Sequence, residues 1–157
     1  MFLVISVSPG QTKDGFKEFA WDSPFESMKN KFHLTLDHDD HHGQKHYLSN
    51  VTDMGSIPVR CFFYFYKNKF YTARIDTKGH ANSRALLKMW QELHGNGFQQ
   101  DQTEEFYMWK KIDNDTRAVY TESGPGNTTV LSIFSISIQS RLDQDKKQAA
   151  RKGKSDF

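Results

Sequence analysis

The sequence predicts one α+β domain: an antiparallel sheet of about five to seven strands, two helices packed on one of its faces, and a charged C-terminal helix or tail. Its 157 residues fit a single domain, with residues 11–140 as the body. Aromatic residues make up 14% of the chain, and such residues favour sheets. Bulky side chains recur at every second position in residues 59–77 and 104–139, whereas residues 82–94 show helical spacing.

A first helix is predicted to begin in residues 23–26, whose sequence is Ser-Pro-Phe-Glu. The serine takes the N-cap position, the proline takes the first helical position, and the glutamate reaches back to the cap, as in a capping box. Phe25, Met28 and Phe32 follow at helical spacing. Their apolar stripe predicts that this helix docks on the sheet.

Two hairpins are predicted after the first helix. The first is loose, with strands at residues 33–37 and 45–51. The second joins residues 59–66 to residues 70–77 through a tight turn around Asn68, because asparagine tolerates the left-handed conformation that such turns require. This second hairpin is the clearest strand signal in the chain.

The second half of the chain predicts a helix and three further strands. Asn82 or Ser83 caps the helix, which runs to His94 and stops at Gly95. Strong turn signals separate the strands. The strands are residues 104–112, 116–121 and 128–139, and the turns are residues 113–115 and 123–127.

The last predicted strand has one buried face, because Phe134, Ile136 and Ile138 alternate with polar residues. Residues 141–157 then predict a charged helix or frayed tail with six basic and three acidic residues, a net charge of +3. The rest of the chain carries −1. A body so balanced has no long-range field that would gather nucleic acid, and no nucleic-acid partner is predicted.

Residues 1–10 predict the remnant of a signal peptide or a disordered start. Their apolar run ends at Val7 and is too short to span a bilayer, so no transmembrane segment is predicted. Ser8 and Gly10 are small residues suited to cleavage, although no basic residue precedes the run. A short first strand is the alternative. The signal-peptide interpretation predicts a periplasmic or secreted location.

Short aromatic and glycine-containing segments recur along most of the chain after Gly15. They are Gly15-Phe16 with Trp21, residues 65–71 at the tight hairpin, Gly95, residues 107–109, and the lysine-rich end that closes in Asp156-Phe157. In these segments the chain resembles a group of small exported bacterial proteins without a known activity. That group usually has glycine where this chain has Asp22 and Asn68. The resemblance implies a helix-plus-sheet layer like that of bacterial lipoprotein or inhibitor modules.

A histidine-rich loop in the loose hairpin is the most unusual local feature. Imidazole and carboxylate ligands suit zinc, copper or nickel. The candidate ligands of a weak transition-metal site are His38, His41, His42 and His46, with His33, Asp37, Asp39 and Asp40 nearby. Their spacing matches no established site, so a solvated polar loop is the alternative.

Alternate side chains of residues 59–66 point to opposite faces of the sheet, with Tyr64 and Tyr66 on one face and Phe63 and Phe65 on the other. Helices cover only one face of a two-layer domain. The other face is therefore predicted to be an exposed aromatic surface that binds a protein or peptide. Its candidate residues are Tyr64, Tyr66, Tyr107 and Trp109. The alternative is that this face is not exposed, because a loop, the C-terminal segment or a homodimer partner covers it.

Signatures of catalysis are absent from the sequence. Cys61 lies in an apolar run, which predicts a buried hydrophobe rather than a reactive thiol. Glu104 and Glu105 are adjacent on a predicted strand and point to opposite faces, so they do not flank one bond. The leading prediction is an exported, non-enzymatic binding or envelope module without a cofactor. The alternatives are the metal-binding loop and a hydrolase whose site assembles only in the fold.

Overall fold

A computed structural model describes residues 14–124 and 128–155. The features predicted at residues 1–10, at residues 125–127 and at Asp156-Phe157 lie outside the described residues. The described strands are β1 (Gly15–Phe16), β2 (Phe19–Ala20), β3 (Thr35–Asp39), β4 (Gln44–Leu48), β5 (Asp53–Met54), β6 (Ile57–Pro58), β7 (Arg60–Tyr66), β8 (Lys69–Thr77), β9 (Phe106–Trp109), β10 (Thr116–Ser123) and β11 (Thr128–Ser135). The described helices are α1 (Phe25–Met28), α2 (His80–His94) and α3 (Ile136–Ser155).

Seven strands form one antiparallel sheet in the order β3-β4-β7-β8-β11-β10-β9, which confirms the predicted fold class. In the tight hairpin Tyr66 pairs with Lys69. The two turn residues between them, Lys67 and Asn68, have φ values of 49° and 62°. Two successive positive φ angles give the turn that matches the twist of the flanking strands. β8 pairs with β11, so both halves of the chain share one hydrogen-bonded layer.

One face of this sheet, the covered face, is buried under the N-terminal segment, α1 and α2. Phe63 is fully buried there and makes edge-on ring contacts with Phe16 and Phe32, at centroid distances of 5.9 and 4.7 Å. Over the other half of the sheet, the Thr129 hydroxyl donates to the Ser83 hydroxyl of α2 at 2.6 Å. The covered face therefore carries most of the hydrophobic core. Its residues include Tyr47, Cys61, Phe65, Phe70, Ala73, Ile75, Tyr107, Trp109, Ala118, Tyr120, Leu131 and Ile133.

The last strand is shorter than predicted, because β11 ends at Ser135 and the next residue begins α3. The prediction of a strand to residue 139 is wrong. The Asp115 carboxylate accepts hydrogen bonds from the Ser137 backbone N–H at 2.8 Å and from the hydroxyls of Ser135 and Ser137 at 2.5 and 2.8 Å. These bonds satisfy the start of α3 from the turn before β10, and alternation along the sequence does not reveal such a contact between distant residues.

α3 crosses one end of the second face of the sheet. Ile138 and Leu142 lie four residues apart on one side of this helix and are 4% and 2% exposed. The Tyr66 hydroxyl donates to the Asp145 carboxylate further along the same helix. From residue 146 to residue 154 every α3 residue is exposed. No described helix is both long and apolar enough to cross a lipid bilayer.

The predicted helix starts also need correction. α1 is a single turn whose N-cap is Pro24, and the Ser23 hydroxyl donates to the Ala20 carbonyl at 2.6 Å instead of capping. α2 begins at His80 with Gly79 as its N-cap, three residues before Asn82, the earlier of the two predicted caps. The Asn82 side chain donates to the Lys78 carbonyl and the Ser83 hydroxyl to the Gly79 carbonyl, at 3.0 and 2.8 Å. These polar side chains bond backwards along the chain, so neither caps the helix.

β9 is shorter at both ends than the predicted strand of residues 104–112. The backbone N–H of Glu104 donates to the Asp101 carbonyl at 3.1 Å, and that of Ile112 donates to the Thr116 carbonyl at 2.8 Å. Both ends of the predicted strand therefore belong to turns. The small hairpins β1–β2 and β5–β6 have strands of two residues each, too short for a periodic pattern.

Candidate functional site

The second face of the sheet, which we call the open face, carries three rows of side chains that pair across strands. Beyond the end that α3 crosses, no described helix packs on these rows, and most of their side chains are half-buried. The first row is His38, His46, Tyr64, Thr72, Phe134 and Arg117. The second row is Thr35, Leu48, Phe62, Arg74, Ser132, Val119 and Met108. The third row is Arg60, Asp76, Val130, Thr121 and Phe106.

The charged residues of the open face differ from those of the whole chain. The chain has six arginines and fifteen lysines. The rows contain three of the arginines, none of the lysines and no glutamate. Their one carboxylate belongs to Asp76. Alternation with the buried residues of β7, β8 and β10 places Arg60, Arg74 and Arg117 on this face, because successive strand residues point to opposite sides.

Arg74 lies at the centre of a polar network on the open face. Its guanidinium donates to both carboxylate oxygens of Asp76, at 2.7 and 3.0 Å, and to the Tyr64 hydroxyl at 3.2 Å. The hydrogen bonds with Asp76 raise the pKa of Arg74 above its usual value. The guanidinium carbons of Arg60 and Arg74 lie 5.1 and 5.7 Å from the centroid of the Phe62 ring. Asp76 is thus neutralised, and the face keeps a net charge of about +2.

His46 lies flat against Tyr64, with ring centroids 3.5 Å apart and planes 5° from parallel. His38 is its partner on the neighbouring strand, at a centroid distance of 5.3 Å. Burial, with the positive charges of His38 and Arg74 adding to it, lowers the pKa of His46 to about 4. The His46 side chain is therefore a neutral aromatic element of the open face at neutral pH.

The four candidate partner-binding residues do not form one surface. Tyr64 lies half-buried on the open face, and Tyr66 lies at its end under α3, where burial and the Asp145 carboxylate raise the pKa of Tyr66 to about 12. Tyr107 and Trp109 lie on the covered face, because they pair with the buried Tyr120 and Ala118. The Trp109 indole packs edge-on against Trp90 of α2 at 6.1 Å. The expected extension of the aromatic surface through Tyr107 and Trp109 is thus on the wrong side of the sheet.

The candidate metal ligands are dispersed around the β3–β4 hairpin. His38 and His46 are cross-strand neighbours, whereas His41 and His42 lie exposed in the turn. Two of the nearby carboxylates are occupied as turn acceptors: Asp39 accepts from the His41 backbone N–H, and Asp40 accepts from those of His42 and Gln44, at 2.8 to 3.0 Å. Within residues 14–124 and 128–155 no group of three His, Cys, Asp or Glu side chains is placed to hold a metal ion.

A separate polar cluster fixes the start of α2 to the covered face. One guanidinium nitrogen of Arg84, Nη2, lies 2.9 Å from a Glu105 carboxylate oxygen and 3.2 Å from a Glu122 carboxylate oxygen. The Tyr120 hydroxyl donates to the second Glu122 oxygen at 2.5 Å, and the Glu122 side chain is 3% exposed. Arg84, Glu105 and Glu122 line an open cavity of about 570 Å³. Because Arg84 binds both carboxylates, the cluster is a structural ion network.

The Cys61 thiol is fully buried on the covered face. Burial raises the pKa of this thiol to about 12, so it is protonated at neutral pH. This agrees with the prediction of a buried hydrophobe.

The arginines of the open face were missed by the sequence analysis. Arg60, Arg74 and Arg117 are far apart along the chain and share no motif. The signal in the sequence was alternation along three predicted strands. Each arginine is next to a residue predicted to be buried, and successive strand residues point to opposite sides, so each arginine lies on the uncovered side.

Acidification is expected to destabilise the protein through His46. Its pKa is about 4 in the folded protein against an ordinary value of 6.5, so the unfolded chain binds the proton more tightly between these values. The stabilisation is complete above pH 6.5 and is lost as the pH falls towards 4. Urea midpoints measured from pH 7.5 to pH 4 should fall less steeply for His46→Gln than for the wild type. His41→Gln, in the exposed turn, is the control, and parallel curves for all three proteins would contradict the assignment.

Comparison with known proteins does not identify a family for this chain: no family model, no curated protein and no solved structure matches it.

Proposed function

We propose that the protein is a non-enzymatic binding module whose open face binds an acidic surface of a partner protein or peptide. The observation that carries the proposal is the composition of this face, with three arginines, no lysine, no glutamate and one aspartate that Arg74 already pairs. Protein interfaces are enriched in arginine, aromatic residues and methionine and are depleted of lysine and glutamate.

The arrangement of the open face supports a broad docking surface. Val119 on β10 and Val130 and Phe134 on β11 are half-buried and would lose further contact with water under a partner. Arg60 is the β7 member of the third row, and Arg117 is the β10 member of the first. Apolar side chains with arginines among them are typical of the buried part of a specific interface.

The charge of the open face favours an acidic partner over a second copy of this chain. A two-fold dimer places the same patch on both sides of the interface. Such a dimer would oppose arginines to arginines, and the only carboxylate in the rows, that of Asp76, is already bound by Arg74. Like charges in contact cost several kcal/mol at an interface.

A polypeptide also fits this face better than a single-stranded nucleic acid does. Nucleic-acid surfaces stack bases on exposed aromatic rings and neutralise phosphates with many cations. On the open face the Phe62 ring is already covered by the guanidinium groups of Arg60 and Arg74, and Phe62 is 5% exposed. The absence of lysine from the rows points the same way.

Selection from a displayed library of random twelve-residue peptides tests the proposal. Peptides retained by the immobilised full chain are expected to be enriched in aspartate and glutamate next to apolar residues. Their affinity should fall as salt is added, because the attraction is partly electrostatic. Selected peptides without acidic enrichment would refute the proposal, and so would tighter binding of oligothymidine than of any selected peptide.

A charge placed among the apolar side chains of the open face should weaken this binding. Val119→Glu is expected to weaken a selected peptide by at least about tenfold, since a carboxylate there repels an acidic ligand and is desolvated on docking. Ala85→Glu is the matched control, because Ala85 is exposed on α2, which packs on the covered face. Thermal melts check that both variants fold. Equal affinity of the two variants would exclude this face as the binding surface.

We also propose an exported location. The segment that predicts it, residues 1–10, lies outside the described residues. Mass spectrometry of cell fractions tests it separately. Chains that keep Met1 and are found only in the cytosol would exclude export.

A further inference from the structure

A notch at the edge of the open face holds two cations without ion-pair partners. It is a cavity of about 420 Å³ where the third row ends, between β7, β8 and the start of α2. Its walls include Arg60, Lys78 and the side-chain amide of Asn82. Within the described part of the chain no carboxylate lies within ion-pair distance of Arg60 or Lys78, although seven other ion pairs of lysine or arginine are present there.

The single carboxylate in the notch is not available to these cations. Asp76 lines the same cavity, but both of its oxygens accept hydrogen bonds from Arg74. Counting Arg74 with its partner, the groups in and next to the notch keep a net charge of about +2. Charge alone therefore favours an anion in this position.

The apolar part of the notch selects among anions. Pro58 and the buried Val59 line the cavity together with the polar groups. A volume of this size falls within the range of ordinary ligand pockets. A ligand with a short apolar stem and an anionic head fits both the apolar and the charged lining of the notch, with the stem on Pro58 and Val59 and the head between Arg60 and Lys78. Among protein groups a glutamate side chain has this chemistry.

We infer that this notch is a carboxylate subsite that takes one glutamate or aspartate side chain of the bound polypeptide. The inference rests on the proposed function and deepens it, because Arg60 and Asp76 belong both to the notch and to the third row of the open face. Arginine binds carboxylates through paired hydrogen bonds, and the lysine adds a second charge. One acidic residue of the partner would then set the register of docking on the sheet.

The first arm of the test uses small anions and does not require a partner. Acetate and glutarate are titrated into the isotope-labelled full chain and followed by NMR. Saturable shifts are expected at the backbone amides of Lys78, Asn82 and Thr128, with glutarate binding more tightly than acetate because of its apolar stem. Inorganic phosphate is the third probe, and tighter binding of phosphate than of glutarate would overturn the carboxylate assignment.

The second arm uses an acidic peptide selected on the open face. Lys78→Met should weaken this peptide by about tenfold, the size of one charge-assisted hydrogen bond. Lys88→Met on the exposed side of α2 is the matched control and should leave the affinity unchanged. The acidic residues of the peptide are then replaced one at a time. Replacement of one of them, a glutamate, should weaken binding to the wild type but leave the affinity for the Lys78→Met variant unchanged.

The two proposals fail in different ways. If glutarate shifts the notch amides and no acidic peptide is selected, the notch binds carboxylates but is not a subsite for a polypeptide, and the proposed function is wrong. If acidic peptides bind and Lys78→Met behaves like Lys88→Met, the open face stands and the subsite is wrong.

Discussion

Replacement of Arg84 by alanine is expected to lower the free energy of unfolding by about 3 kcal/mol, because it leaves a buried carboxylate without its cation. Glu122 is 3% exposed, and Arg84 is its only cationic partner within the described residues. Tyr120 continues to donate to Glu122, but a neutral hydroxyl does not balance the charge. Urea denaturation at pH 7.5 measures the loss. An unchanged slope of the unfolding free energy against urea concentration would show that the folded and unfolded states keep their compactness.

Two further variants separate charge from packing at this position. Lys88→Ala, one turn further along α2 at an exposed position, should change the free energy of unfolding by less than about 0.5 kcal/mol. In a Glu122→Gln background the Arg84→Ala substitution should cost much less, since the buried charge is gone. An equal cost in both backgrounds would mean that the arginine acts through its apolar stem and that the ion network does not hold α2 in place.

The class of fold follows from spacing along the chain. The sequence of residues 59–77 predicts two strands joined by a tight turn, and that of α2 shows helical spacing closed by Gly95. Both signals are local, so the sequence alone contains them. The fold class and the tight hairpin at Asn68 are therefore confirmed.

What sequence reasoning missed depends on contacts between distant residues. The change from β11 to α3 depends on Asp115, twenty residues before Ser135, and period two continues through the junction. The face of Tyr107 and Trp109 is set by register with β10, and a shift of one residue in pairing reverses it. The candidate binding surface was predicted as an aromatic face, whereas the structure adds three arginines. Alternation along β7, β8 and β10 sets the side on which each arginine lies, and the register between the strands brings them near one another.

Replacement of Leu142 by alanine is expected to cost about 2 to 4 kcal/mol, because the side chain is 2% exposed and belongs to the hydrophobic core although it lies on the charged C-terminal helix. A frayed tail would show no such cost. The polar contacts of α3 with the sheet, from Tyr66 to Asp145 and from Lys146 to Gln44, lie within four residues of Leu142 and depend on the same anchor. The loss should appear in urea denaturation and as faster hydrogen exchange of the α3 amides.

Leu93→Ala is the matched control for Leu142→Ala, since it removes the same atoms from a side chain that is 61% exposed on α2. Its cost should stay within about 0.5 kcal/mol. If the two leucine variants unfold at the same urea concentration, α3 is not anchored on the sheet. The end of the open face that contains Tyr66 would then be uncovered, and a binding surface that spans all of β7 would replace the one defined by the three rows. If Leu142 carries the larger cost, the helix closes that end, and the proposed binding surface is limited to the rows beyond it.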